Sequence, residues 1–260
     1  MRTALLLAAC LVVGADAAPA QGSATDYRFT PALHAGQRLS ISNIDGSISI
    51  TQGGTVAEIV AHKIVHRGDG SRVKAIIEQT SDGYLVCAVY LVRGEDRDTC
   101  GGNHGNGNDD EALNVDVQFE ARVPAGVRLS VHSVDGAITA RGIDTPAIIG
   151  TVDGDITFDG KAPESLNTVD GRITAAIGDA GWDHNVALRS VDGSVDVTLP
   201  AAINVTLTGS SVDGEITSDF PVTLAGKWGP RSMRGTIGSG GTRELRVSTV
   251  DGAIRVHRGS

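Results

Sequence analysis

From residue 27 to residue 256 the chain consists mostly of short runs in which apolar and polar residues alternate. "RLSISNIDGSISIT" (38–51) places Leu39 and Ile41, then Ile48 and Ile50, on one side of an extended backbone, because successive side chains of a strand point to opposite faces. "RVKAIIEQTSDGYLVCAVYLV" (72–92) continues the pattern. Residues 93–112, "RGEDRDTCGGNHGNGNDDEA", are polar, Gly/Asn-rich and aperiodic, which predicts a loop excursion. "LNVDVQFEARVPAGVRLSVHSVDG" (113–136) returns to strand pattern around a Pro124-Ala125-Gly126 turn, and residues 127–256 repeat short strands regularly. No long amphipathic helix is legible, so the predicted class is all-β.

One phrase punctuates these strands. It reads Ser/Thr/Asn, then Val/Ile, then Asp-Gly, and its Asp-Gly pairs are Asp45-Gly46, Asp135-Gly136, Asp153-Gly154, Asp170-Gly171, Asp192-Gly193, Asp213-Gly214 and Asp251-Gly252. From Gly136 onward the glycines are spaced by 18, 17, 22, 21 and 38 residues. "SMRGTI" (232–237), with Arg234 in place of Asp, divides the widest gap, and "TSDGYL" (80–85) is a weaker copy. Asp-Gly between alternating apolar residues is a strong hairpin signal, and an antiparallel sandwich or barrel is the alternative it supports. A hairpin does not require Ser, Thr or Asn two residues before every Asp. A coil of stacked rungs does, since equivalent residues then form columns about 4.8 Å apart, each bonding the next. A period near 20 is also that of solenoids. The expected fold is therefore a single-stranded parallel β-solenoid of about ten ~20-residue rungs, roughly 45–50 Å long. Val and Ile fill its interior, Gly supplies positive φ at each corner, and Asp accepts from nearby backbone N–H groups.

Residues 1–20 read as a signal peptide: Arg2, the apolar run "ALLLAACLVV" (4–13), then "ADAAPA" with cleavage after Ala17 or Ala20. That leaves one domain, residues 21–260. "LAAC" (7–10) also matches a lipidation pattern at Cys10, but the apolar run continues past it. No later stretch is apolar for long enough to span a bilayer. Export makes Cys87 and Cys100 a disulfide pinning the 93–112 excursion, worth roughly 3 kcal/mol in the chain-entropy model. The net charge of -9 disfavours nucleic acid and anionic membranes as partners. Aromatic residues are only 3%, so flat platforms for sugar or base stacking are scarce. Charge is uneven: Arg231, Arg234, Arg243, Arg246, Arg255 and Arg258 against Glu244 and Asp251 give the last thirty residues +4. A basic pole at the final rungs is expected, either protecting the coil's edge or, through Arg243, Arg246, Arg255 and Arg258, docking an anionic partner.

Candidate chemistry is sparse. The Asp column reads first as turn-forming and second as a weak cation site, and the glycine-rich calcium nonapeptide is absent. His62 and His66 share a strand face but stand too far apart for one ion. His104, Asp109, Asp110 and Glu111 sit in the excursion as a candidate contact loop with no EF-hand spacing. There is no Gly-x-Ser-x-Gly elbow and no spare cysteine. No carboxylate pair stands out for glycoside hydrolysis, and most rungs have loops too short to wall a cleft. No catalytic residue and no cofactor is expected.

"YLVCAVY" with a second Cys in a Gly/Asn-rich loop, "VDVQFEARVPAGVRLSVHSVDGAITARGI" and the serial "TVDGDI" phrases cover most of residues 30–256. On these the chain resembles a bacterial family of exported β-strand-repeat proteins of unknown or adhesin-like function, related to the auto-transporter adhesin head domain. The resemblance implies a β-helical fold and an envelope or extracellular location, and no established catalysis. The expected function is an adhesin-like binding module whose partner is an envelope protein or glycan. The alternative is a scaffolding part of an envelope-stress system, with a carbohydrate-active enzyme the weakest reading.

Overall fold

The computed structural model describes residues 25–91, 99–100, 113–226, 229–240 and 242–259. Two sheets lie face to face, and eight rungs each give one strand to sheet B and the next to sheet A. In chain order these rungs are β2 (Arg38–Ser42) to β3 (Ile48–Gln52), β6 (Gly83–Tyr90) to β7 (Asn114–Val123), β8 (Arg128–His132) to β9 (Ile138–Ile143), and β10 (Ala147–Gly150) to β11 (Ile156–Gly160). Then come β12 (Ser165–Asn167) to β13 (Ile173–Ile177), β14 (Val186–Arg189) to β15 (Val195–Leu199), β16 (Val205–Asp213) to β17 (Ile216–Ser218), and β20 (Glu244–Asp251) to β21 (Ile254–Arg258). The remaining strands, β1 (Thr25–Phe29), β4 (Glu58–Arg67), β5 (Val73–Thr80), β18 (Thr223–Ala225) and β19 (Arg231–Ile237), pair antiparallel at the two ends. The parallel solenoid is thus the fold. With ten strands in sheet A its length is about 43 Å at the usual strand separation.

Rungs do not stack in chain order. The β6–β7 rung lies outside β2–β3, and β20–β21 inserts between β14–β15 and β16–β17. Among the described residues the expected ten rungs are eight, because two of the looser copies of the phrase are not corners. "TSDGYL" is the tight turn of the β5–β6 hairpin, where Thr80 faces Gly83. "SMRGTI" lies within β19, antiparallel to β16. Its Met233 and Ile237 still face the core, which is why it imitates a rung in sequence.

Inward residues of both sheets form one continuous core that includes Leu39, Ile41, Ile48, Ile50, Ile156 and Leu166. A second, smaller cluster lies on the outer face of sheet B. There Cys87, Val89, Leu91 and Cys100 pack with Ile76 and Leu85. The Cys87–Cys100 disulfide, Cα–Cα 5.8 Å, ties the chain beyond β6 onto this face. The Cys100 N–H donates to Glu78 Oε1 at 2.7 Å. At the N-terminal end buried Lys63 points inward from β4, its Nζ donating to the carbonyls of Gly70 (2.8 Å) and Val73 (3.2 Å).

The corners explain the repeated phrase. Each backbone ladder runs unbroken around the corner: the Gly154 N–H donates to Asp170 O and the Gly171 N–H to Asp192 O. The glycine carbonyls receive no backbone N–H among the described residues, and the hydroxyl column supplies their donors. Thr151 Oγ1 donates to Gly136 O (3.3 Å), Thr168 to Gly154 (3.1 Å), and Ser190, Thr249 and Ser211 to Gly171, Gly193 and Gly252 (3.0 Å each). Asn43 does the same at the first corner, its Nδ2 reaching Asp45 O, Gly46 O and Val117 O. Most column members therefore bond a carbonyl of the adjoining rung rather than one another, whereas Ser133 Oγ donates to Asp135 O of its own corner at 3.5 Å. Thr168→Val keeps the shape and orphans Gly154 O. It is expected to cost about 1–3 kcal/mol, the penalty of a buried unpaired acceptor, measurable by chemical denaturation.

Candidate functional site

The corners align into a ridge along one edge of the coil. The Ser/Thr/Asn side chains are buried, and the next two residues of each phrase point outward. Val134, Val152, Val169, Val191, Val212 and Val250 are 40–51% exposed, an apolar column on the surface. Beside it runs the Asp column, linked rung to rung as Asp45–Asp135–Asp153–Asp170–Asp192–Asp251, with Asp213 next to Asp251. All seven phrase aspartates stand on this one line.

An eighth carboxylate precedes them. The Val117 N–H donates to Asp45 O, and a Cβ on Gly46 would lie 2.5 Å from Val117 O, just as later glycines abut the preceding glycine. Val117 thus stands in the glycine position and Asp116 in the Asp position. Desolvation, then the negative charges of Asp116 and Asp135, raise the pKa of Asp45. Ionising Asp45 thus opposes folding, a penalty that fades as pH falls through its raised pKa. "NVDV" carries this eighth position in the sequence, but without its glycine it reads as plain strand.

The aspartates do not act as Asx turns. Among the described residues only Asp45, accepting from the Gly46 N–H, and Asp116, 3.0 Å from His66 Nε2, have partners. The reason is that the corner amides are already committed to the ladder. Positive φ holds at six corners, as expected: Gly46 has φ 111°, Gly136 142°, and Gly154, Gly171, Gly193 and Gly252 157–158°. A side chain is excluded as well by the carbonyl of the adjoining glycine, 1.8–2.3 Å from a Cβ built on Gly136, Gly154, Gly171, Gly193, Gly214 or Gly252.

The six arginines of the expected basic pole stay toward one end of the coil, Arg231 and Arg234 on β19 and the other four in or beside the β20–β21 rung, which sits one rung inside that end. The latter four have partners within the molecule. Arg243 lies over Trp182 and donates to the carbonyls of Ala180, Trp182 and Asn204. Arg246 pairs with Glu244 at 3.1 Å, Arg255 with Asp196 at 3.1 Å, and Arg258 covers Phe220 while donating to Asp219 O. His62 pairs with Asp26 and His66 with Asp116, so they form no joint site. His104, Asp109, Asp110 and Glu111 lie outside the described residues, as do Cys10 and residues 1–20.

A feature not read from the sequence is Ser130, whose Oγ is 3.4 Å from His132 Nε2 on the outer face of sheet B. Burial lowers the His132 pKa. No carboxylate orients this histidine among the described residues, so the pair lacks the third member that acyl transfer uses. No group of three His, Cys, Asp or Glu side chains that could hold a metal ion occurs among the described residues. No helix there is long and apolar enough to cross a membrane.

The rung geometry has a counterpart among known families: the family model Toastrack DUF4097 matches residues 35–257. The chain belongs to the Toastrack family. No curated protein matches it. The Toastrack chain is similar in fold to a crystal structure described as a "putative cell adhesion protein" from Clostridium sporogenes ATCC 15579, with TM-score 0.52 and 9% identity over 91% of this chain and 100% of that one. A "putative adhesin" from Bacteroides fragilis NCTC 9343 aligns with TM-score 0.36 and 11% identity over 90% of this chain and 97% of that one.

Proposed function

We propose that this Toastrack chain is a non-catalytic binding module of the cell envelope or cell surface, engaging an extended envelope protein or glycan along its corner ridge. One observation carries the reading: valine and aspartate are exposed in register at successive corners, and neither position helps the fold. Exposed valines leave apolar surface in water, and neighbouring carboxylates repel by up to about 1 kcal/mol in water. A regular ladder of apolar and acceptor groups suits a partner that is itself extended and repetitive. The fold shared with the Clostridium sporogenes protein lends support by analogy only. The signal-like residues 1–20 favour export.

The test is capture from native envelopes by crosslinking, with a glycan pull-down on the same purified chain. Wild type is expected to be retained, and a variant with Asp153, Asp170 and Asp192 all replaced by Asn to be released while its melting temperature holds or rises. Equal retention of both proteins sinks the ridge reading. Turnover of the captured glycan sinks the non-catalytic one.

A further inference from the structure

Asp-Gly is the dipeptide in which aspartate isomerises most readily, because glycine has no side chain to shield its own amide nitrogen. That nitrogen attacks the preceding Cγ and closes a five-membered succinimide. The peptide unit between the two residues must turn, and its N–H must be given up. The seven corners are therefore seven copies of one reactive pair, and the backbone ladder decides which of them can react.

Six of the seven peptide units are tied at both ends. The Asp170 carbonyl accepts from the Gly154 N–H, and the Gly171 N–H donates to Asp192 O. The units at Asp135, Asp153, Asp192 and Asp251 are held in the same way. At Asp45 the carbonyl accepts from the Val117 N–H, and the Gly46 N–H donates to Asp135 O. Asp213-Gly214 differs, because its corner belongs to the last rung of the coil. Its carbonyl accepts from the Gly252 N–H at 3.2 Å, the longest of these bonds, and the Gly214 N–H has no acceptor among the described residues. The surroundings agree. Gly214 alone of the corner glycines lacks a positive φ. Val212, 51% exposed, is the most exposed of the corner valines. The Asp213 carboxylate makes no hydrogen bond or ion pair among the described residues. Three further Asp-Gly pairs lie outside the corners. There the Asp69 carboxylate accepts from the Ser71 N–H and hydroxyl, Asp82 is held by Thr80 Oγ1 and Arg38, and Asp159-Gly160 lies within β11.

We propose that Asp213 is a site of spontaneous isomerisation to β-linked aspartate in the folded chain, and that the ladder shields the other six corner aspartates. With the Asp213 carboxyl protonated, Gly214 N bonds to Cγ, the Cγ–OH bond breaks, and the hydroxyl leaves with the amide proton as water. Water then reopens the ring. Cleavage of the bond between N and Cγ restores aspartate. Cleavage of the bond between N and the backbone carbonyl carbon leaves the chain running through Cβ and Cγ, with the former backbone carboxyl as the side group. Mass and charge are unchanged, and the backbone between β16 and β17 gains one carbon. Because this corner ends the ridge, the change loosens the last rung and leaves the other corners untouched.

Incubating the native, disulfide-intact chain in heavy-oxygen water tests this, since reopening of the ring leaves one labelled oxygen on the residue that closed it. Peptide mapping by mass spectrometry then assigns the label and the β-linkage to individual aspartates. In the folded chain both are expected at Asp213 about tenfold or more faster than at any other corner aspartate, since a corner bonded at both ends reacts only after local opening. In the chain unfolded by guanidinium, all seven corner aspartates are expected to react at similar rates, which makes the selectivity a property of the fold. Asp213→Glu, whose ring would be six-membered and closes far more slowly, is expected to keep the melting temperature and to remove the modification from this corner. Three results overturn the proposal: label spread evenly over the corners of the folded chain, an Asp213 no faster than the other corner aspartates, or the same preference for Asp213 after unfolding.

Discussion

Gly171→Ala is expected to destabilise the coil by about 3–5 kcal/mol, well above the ordinary effect of a single substitution. The added methyl would lie 2.1 Å from the Gly154 carbonyl oxygen and 2.6 Å from its carbon, both backbone atoms with no rotamer to yield. Relief requires the two rungs to part at the corner. Parting them stretches the bond from the Gly154 N–H to Asp170 O and that from Thr168 Oγ1 to Gly154 O. Helix or strand propensity plays no part, since the residue is in a corner. Gly53→Ala is the control: no atom outside its chain neighbours lies within 4 Å of the built Cβ, and a change within about 0.5 kcal/mol is expected. For a domain of this size each kcal/mol moves the melting temperature by about 2–4 °C, so calorimetry separates the two variants by roughly 10 °C. Equal melting points would show that the glycine column is not packed against itself.

The corner was legible in the sequence because its four positions recur on every rung. The buried donor and the bare Cα follow from one backbone path, and the outward apolar residue and the outward acid repeat between them. What the sequence leaves open is which rung lies beside which. Ile254 and Val256 pair with Val195 and Val197 on one side, and Ile254 and the backbone of Val256 pair with β17 on the other. Residues of β15, β17 and β21 share the same apolar phase, so no local signal tells β20–β21 to insert before β16–β17. Asp116 escaped notice for a related reason. Gly is needed only where an adjoining corner presses its carbonyl against the Cα. On the far side of β7 lies β4, an antiparallel strand that places Lys63 opposite Val117. No corner carbonyl reaches Val117 there, so the eighth copy keeps its acid and loses its glycine. Because β20–β21 inserts before β16–β17, the last residues of the chain do not form the last rung, which charge counted along the chain does not reveal.

Phe158→Ala is expected to cost about 3–5 kcal/mol, the range for deleting a buried aromatic side chain. Its column in sheet A reads Ile50, Ala140, Phe158, Ala175, Val197, Val256 from rung to rung. Phe158 is 1% exposed, and the residues paired with it on both sides are alanines. The ring therefore occupies space that three rungs share. In Phe158→Ala three alanines follow in succession, and the ladders that fix rung spacing prevent the walls from closing on the void. A double-mutant cycle tests the shared space. Ala175→Leu alone overpacks beside the ring and is expected to destabilise by about 1–3 kcal/mol. Added to Phe158→Ala, the same leucine fills the void and recovers part of the loss, giving a favourable interaction energy of about 1 kcal/mol or more between adjoining sites. Strict additivity of the two changes would mean that each rung packs its own layer independently, and the complementarity read from this column would then be an accident of sequence.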